Sequence, residues 1–162
     1  MSLRHENGAQ YPVIDLDPHF TRVVRYFRPS DYLAWGAATA FGPAFMIMME
    51  KTNPQFPSKG LNIGLRYAAG FGAMAGFLLA YQRSSFRFWG WEENSKEFER
   101  DKQEMTKRLR EGKALYGNSE LSQYNQKAAA WNSRYAALKF AAIPWFNFAN
   151  HNYHDVDVSR YR

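Results

Sequence analysis

Cysteine is absent from this chain of 162 residues. That excludes disulfides, thiolate nucleophiles and the usual cysteine ligation of iron–sulfur clusters. Any electrons that pass near the chain are carried by something else. No Asn-x-Ser/Thr acceptor occurs, which argues against an extracellular life. The opening MSLRHENGAQ lacks the apolar run of a secretory signal and, with Glu6 and one serine, makes a poor cleavable transit peptide. Targeting is therefore expected to be internal.

Charge is missing from two long runs, and those runs define the molecule. Tyr32 to Met49 and Tyr67 to Gln82 contain no Asp, Glu, Lys, Arg or His, although 22% of the chain is charged. Eighteen residues of helix cover about 27 Å, close to the roughly 30 Å hydrocarbon thickness of a bilayer. The second run is shorter, but Leu61 to Leu65 extends it past Arg66, whose long side chain can snorkel to the headgroups. The pattern predicts an all-α membrane protein built on a two-helix transmembrane hairpin.

The expected organisation is an N-terminal arm over 1–31 with a short interfacial helix, a hairpin over 32–82 with spans at 32–50 and 61–82, and an extramembrane segment over 83–162. The last carries helices at about 94–111 and 120–143 and an aromatic tail. The linker EKTNPQFPSKG is short and contains Pro54 and Pro57, so the spans are antiparallel neighbours. Arg22, Arg25, Arg28, Arg83 and Arg87 flank the outer ends, against Lys51, Lys59 and Arg66 on the loop side. The positive-inside rule then puts both termini on the positive side, the matrix in the case of a mitochondrial inner membrane. The same five arginines are candidate ligands for lipid headgroups.

Small residues recur every four positions in both spans: Gly36, Ala40 and Ala44 in the first, and Gly60, Gly64, Ala68, Gly72, Gly76 and Ala80 in the second. Such a series bares the backbone along one side of a helix, where another helix can approach closely. Glycine and alanine are common in membrane helices, but chance abundance accounts poorly for six in register. Pro43 lies inside the first span and should kink it. Phe86, Phe88, Trp89 and Trp91 follow the second span and read as an interfacial aromatic belt.

In the arm, Arg22, Arg25 and Arg28 share a face opposed to Phe20, Val23, Val24 and Phe27 if His19 to Phe27 is helical. From Asn94 the sequence becomes densely charged; Asn94 with Glu97 resembles a capping box, and only Phe98, Met105 and Leu109 form an apolar stripe. Seven acids interleaved with the bases between 83 and 113 disfavour a nucleic-acid role. Leu121, Tyr124, Ala128, Trp131, Tyr135, Leu138 and Ala142 then alternate at spacings of three and four until Pro144. Their mixture of aromatic and small residues suits a groove on a larger partner better than a symmetric coiled coil.

Candidate chemistry is sparse. His151, His154 and Asp155 form the one grouping reminiscent of a metal site, in an irregular tail where hydrogen bonding to a partner's backbone is the plainer use. No P-loop, nucleophile elbow, dinucleotide fingerprint or catalytic carboxylate pair is present. No catalytic residue, cofactor, metal or small-molecule substrate is expected.

The block YPVIDLDPHFTRVVRYFRPSDYLAWGAATAFGP, the glycine-rich second span and the closing NHNYHDVDVSRYR together resemble the fungal 21-kilodalton accessory-subunit family of mitochondrial NADH:ubiquinone oxidoreductase, complex I. The resemblance covers most of the chain and is strongest at its ends. It implies an inner-membrane protein of the membrane arm with no flavin, cluster or quinone chemistry of its own, and core and accessory subunits and phospholipid as partners. It transfers a location and a supporting role, and no active-site residues. Two other classes fit parts of the sequence: a glycine-zipper component of a translocase or channel, and a small membrane enzyme built on the His151 group.

Overall fold

A computed structural model describes residues 8–55 and 57–162; the leader reading of the first ten residues falls largely outside them. The elements are α1 (Phe20–Arg25), α2 (Pro29–Thr52), α3 (Ser58–Phe88), α4 (Ser95–Arg110) and α5 (Gln123–Ser133), with 3-10 helices at Ala136–Ala141 and Val158–Tyr161. The described residues contain no strand. The chain divides into two compact units, one spanning Phe27–Tyr81 and the other joining the residues up to Tyr26 with Gln82–Arg162. The arm and the C-terminal segment, separate in the sequence, thus belong to one unit.

The first unit is the hairpin, and α2 and α3 are each long and apolar enough to cross a membrane. α2 starts where Pro29 supplies a preset φ and Asp31 accepts from the Arg28 N–H at 2.8 Å. It remains helical through Pro43 and stops at Thr52, with the Asn53 N–H bonding back to Met49 O. Glycines decide how α3 meets it. A Cβ on Gly76 would lie 2.7 Å from Trp35 O, one on Gly72 2.8 Å from Ala38 O, and one on Gly64 2.7 Å from Met46 Cε. Trp35 Nε1 also donates to Ala73 O at 2.8 Å, one polar bond between the helices. In hydrocarbon, where a polar donor finds no water, that bond fixes the register as well as adding energy.

The second unit folds around the helical continuation of α3. The sequence ends the second span near Gln82, yet α3 runs on to Phe88. Phe88 and Trp89 are almost fully buried with Ile14, Val23, Tyr26, Met105 and Tyr161, so they are core residues and not the interfacial belt their position suggested. Tyr26 packs on Phe88 at 5.1 Å, and Trp89 meets Tyr135 edge-on at 5.0 Å. Gly90 closes the turn after α3 with φ +74°, and a Cβ there would fall 2.4 Å from Tyr11 O. This close approach lets Gly90 O accept from the Gln10 and Tyr11 N–H groups at 3.1 and 3.0 Å.

One helix cap and one helix boundary differ from expectation for identifiable reasons. Asn94 holds the N-cap position of α4, but its side chain makes no capping bond; its amide donates to Pro12 O and Arg87 O at 2.8 and 2.7 Å, while Glu97 pairs with Arg87 at 3.3 Å. The heptad pattern predicts helix from 120 to 143, but α5 ends at Ser133. Ser133 Oγ bonds back to Ala129 O at 2.8 Å and onward to Asp17 at 2.5 Å, and Tyr135 adopts a left-handed conformation that delivers its ring to Trp89 and Trp91. Tertiary contacts here override the heptad.

Candidate functional site: a buried clasp between the two ends of the chain

The Ile14–Asp17 stretch is buried although two of its four residues are acids: Ile14 and Asp15 fully, and Leu16 and Asp17 nearly so. Both flanking regions bind its backbone. Ile14 N donates to Phe88 O at 2.9 Å, Arg160 donates to Val13 O and Ile14 O at 2.8 and 2.7 Å, and Asn147 donates to Asp17 O at 3.0 Å. Two aspartates are thereby delivered into the interior, where Arg22 is a near neighbour in sequence and the remaining side-chain partners come from beyond Asp101.

Asp15 Oδ2 accepts from Arg22 at 2.6 Å and Oδ1 pairs with His154 Nδ1 at 2.7 Å. Arg22 uses its second terminal nitrogen on Asp101 of α4, which also accepts from the Tyr161 hydroxyl at 2.7 Å and has Arg160 within 3.7 Å. Asp17 accepts from His151 Nε2 at 2.7 Å and from Ser133 Oγ. The guanidinium of Arg22 lies 5.4 Å from the Phe88 ring centre, and Tyr116 stacks on His154 at 3.6 Å. A chain of alternating charges therefore crosses the unit, sandwiched between rings.

Protonation states follow from the partners. His154 Nδ1 faces a carboxylate and its Nε2 faces His151 O at 2.8 Å; both are acceptors only, so both nitrogens carry protons and the ring is cationic. Burial works against that charge, but the Asp15 carboxylate and the two hydrogen bonds outweigh it and raise the His154 pKa. Asp15 is the mirror case: burial opposes ionisation, and His154 and Arg22 overcome it, lowering its pKa. For Asp101 burial prevails and the pKa rises despite Arg22, whereas the Arg22 pKa is raised because its two carboxylates outweigh desolvation. His151 is different. Its Nδ1 accepts from Tyr153 N at 3.2 Å, and its Nε2 lies 2.7 Å from Asp17 and 3.3 Å from the Asn147 amide.

The sign of the pH response is fixed by these shifts. A histidine with a raised native pKa stabilises below its unfolded pKa and loses that contribution as pH climbs through the native value; the lowered Asp15 stabilises above its unfolded pKa and loses its share as pH falls through the native one. The Asp15–His154 pair should thus be strongest in mildly acidic solution and weaken on the alkaline side. Thermal unfolding of the full chain in detergent, followed by near-ultraviolet circular dichroism between about pH 5 and pH 9, should show a fall at the alkaline end that His154→Gln abolishes.

The structure redistributes the residues singled out by sequence. Arg22, Arg25 and Arg87, candidates for lipid headgroups, engage carboxylates of the chain itself: Asp15 and Asp101, Glu104 at 2.5 Å, and Glu97. Arg28 contributes its N–H to the start of α2, and Arg83 is half-buried on α3. α1 is shorter than the arginine-faced helix expected over 19–27, and Arg22 and Val23 turn inward. The partners of His151 and His154 are aspartates and not a metal, and Asp155 pairs with Arg134. Among the described residues no group of three or more His, Asp or Glu side chains is disposed to hold a metal ion.

In the hairpin, Gly64, Gly72 and Gly76 lie against α2, Ala68 faces Gly42, Gly60 touches Pro57 and Ala80 is buried. Gly36 meets open space and Ala40 and Ala44 are exposed; α2 instead presents Trp35, Ala38, Thr39, Gly42 and Met46 to α3. Along α5, Tyr124 and Trp131 are each 81% exposed and Ala128 is exposed. Leu121 precedes α5, Tyr135 turns to Trp89, and Leu138 belongs to the following 3-10 helix, so the seam is broken beyond Trp131. The buried face of α5 is Gln126, Ala130 and Ser133, the reverse of ordinary amphipathicity.

A cleft of about 290 Å³ opens onto the clasp: Asp15, Arg22, His151 and His154 line it together with Glu104 and Tyr116, among others. Arg25, Arg108 and the Tyr26 hydroxyl all converge on Glu104 at 2.5, 3.6 and 3.1 Å, and burial pushes the Tyr116 hydroxyl up to about 12. The clasp itself satisfies its charges internally and buries them. Such chemistry holds distant parts of the unit together. Sequence reasoning missed Asp15, Asp17 and Asp101. The available signal was Asp-Leu-Asp set in an otherwise apolar stretch.

A helical hairpin fit to span a membrane, carried by a unit that locks its own ends with buried charges and turns aromatic rings outward, defines a small integral membrane protein of the kind that works within an assembly. Comparison with known families makes this specific. Residues 8–93 match the model of the NADH-ubiquinone oxidoreductase complex I 21 kDa subunit, and residues 102–162 match the C-terminal region of the same 21 kDa subunit. The chain is 48% identical over 155 residues to the NADH-ubiquinone oxidoreductase 20.9 kDa subunit of Neurospora crassa, covering 95% of this chain and 82% of that protein. The chain belongs to the complex I 21 kDa subunit family. It is a complex I subunit, a component of the mitochondrial respiratory chain whose partners include other subunits of that complex. The clasp bridges the two matched regions: Asp15, Asp17 and Arg22 lie in one, His151, His154 and Tyr161 in the other.

Proposed function

We propose that the chain is a non-catalytic accessory subunit that supports assembly and stability of the complex I membrane arm in the mitochondrial inner membrane. The observation that carries this reading is the clasp, whose ionisable groups have one another as partners and tie the arm to the tail. Around that fixed body, Tyr124, Ala128 and Trp131 offer an exposed stripe for a neighbouring subunit, and Gly36, Ala40 and Ala44 offer a second, small-residue stripe for a neighbouring membrane helix. Both termini lie on the matrix side in this reading. Support comes from the arginine balance, and from the clasp, which joins residues on either side of the hairpin in one unit and so keeps both on the same side of the membrane. Phospholipid is a further partner, and nucleic acid and small-molecule substrates are not.

Loss of the chain tests the proposal. Native electrophoresis of solubilised mitochondrial membranes should show the full-size complex depleted and a smaller membrane-arm intermediate in its place, while the remaining full-size particles oxidise NADH at the normal rate per particle. A normal amount of full-size complex would refute the assembly role. A normal amount with reduced turnover would point to a direct part in catalysis.

A further inference from the structure

We propose that residues 136–148 form a lipid-surface anchor that seats the extramembrane unit on the headgroup layer of the bilayer. The placement comes from Gln82, the last residue of the second uncharged run, whose side-chain amide lies 3.5 Å from Ala137 O. The segment therefore begins at the level where α3 leaves its apolar stretch and Arg83 begins the charged part of the helix.

Its exposed side chains suit that depth. Leu138, Ile143, Trp145 and Phe148 are 46%, 55%, 42% and 66% exposed, far more than single scattered apolar residues on a water-facing surface. Lys139 is the one charged residue between Tyr135 and Asn150, and its ammonium lies 5.8 Å from the Trp145 ring centre. Aromatic rings beside a lysine are the composition that settles at the headgroup boundary, with the rings among the upper acyl carbons and the cation at the phosphates.

The backbone reinforces the assignment. Phe140 and Phe146 pack on each other at 5.4 Å and Phe146 meets Phe20 at 5.2 Å. These inward rings fix the irregular segment, so the outward ones are held ready and not swept in by collapse. Phe88 and Trp89, which the sequence offers as the interfacial belt, are buried in the core. The membrane boundary at the end of α3 thus takes its aromatic complement from this later segment. The α5 stripe differs in kind, being regular and helical, and is left to a protein partner.

Absence of native cysteine makes the test direct. Single variants Ile143→Cys and Phe148→Cys of the full chain, spin-labelled and reconstituted in vesicles of phosphatidylcholine and phosphatidylglycerol, should collide preferentially with dissolved oxygen over a water-soluble nickel chelate. Labels at Tyr124→Cys and Trp131→Cys should show the opposite preference. Unchanged near-ultraviolet dichroism confirms that each variant is folded, and Leu138→Cys provides an additional position. Nickel-dominated collisions at 143 and 148 would overturn the anchor. So would protection from both reagents, which would mean that protein covers the patch. The vesicles contain no other complex I subunit, so the result does not depend on the proposed assembly role.

Discussion

Arg22→Ala should unfasten the unit that joins the arm to Gln82–Arg162. The substitution leaves Asp15 and Asp101 buried without the cation they share. Removing one partner of a buried ion pair typically costs about 3–5 kcal/mol, because the abandoned charge has no solvent to turn to. Here two carboxylates are abandoned, and each keeps only part of its set: His154 for Asp15, Tyr161 and the more distant Arg160 for Asp101. A loss of that size is comparable with a large share of the net stability of a small unit. Limited proteolysis of the full chain in detergent should then cut within the arm and the tail at temperatures where the native protein resists. Arg22→Lys should fall between the two, since a single ammonium cannot reproduce a planar fork gripping two carboxylates. Wild-type resistance in Arg22→Ala would mean that the clasp does not hold the unit together.

The second large effect is expected at Gly76. A leucine there puts its Cβ 2.7 Å from the Trp35 carbonyl and 2.8 Å from the Trp35 ring. Backbone cannot step aside as a flexible side chain can, so the helices must separate, and the Trp35 bond to Ala73 O stretches with them. Overpacking of this sort costs about 1–3 kcal/mol in a water-soluble core. In hydrocarbon, separation also leaves an indole N–H without an acceptor. Gly76→Leu should therefore abolish cross-linking between paired cysteines introduced across α2 and α3, and should sharply reduce incorporation into the complex. Gly70→Leu is the matched control, because a side chain at Gly70 meets open space. Equal cross-linking in the two variants would refute the packing assigned to α3.

Much of the architecture was legible because it rests on periodicity and charge. Two uncharged runs give the hairpin, and the glycine series of the second locates the side of α3 that meets α2. The first span misleads. Gly36, Ala40 and Ala44 keep perfect spacing, yet Trp35, Ala38, Thr39, Gly42 and Met46 face the partner, because a tryptophan that donates a hydrogen bond sets the rotation of α2. Spacing shows that a stripe exists and not what lies opposite it.

The clasp was illegible for a different reason. Its groups are far apart in sequence, with Asp17 and His151 separated by 134 positions, and nothing local to a lone aspartate or histidine announces such a partner. Arginines at 22, 25 and 87 read naturally as a solvated or lipid-facing set until the carboxylates that neutralise them are known. The same blindness explains α5, whose pattern continues to Pro144 on paper while Ser133 and Tyr135 are diverted by Asp17, Trp89 and Trp91. Long-range contacts won over local pattern here, polar ones at Arg22 and Ser133 and aromatic ones at Phe88, Trp89 and Tyr135.

Order of synthesis gives the clasp one more consequence. Asp15 and Asp17 are synthesised well before His151, His154 and Tyr161. Both apolar helices are made in between, so the arm carries its acids without their histidine partners until after α5 is complete. A variant lacking residues 151–162 would keep the whole hairpin, while Asp17 would lose His151 and Asp15 would keep Arg22 but lose His154.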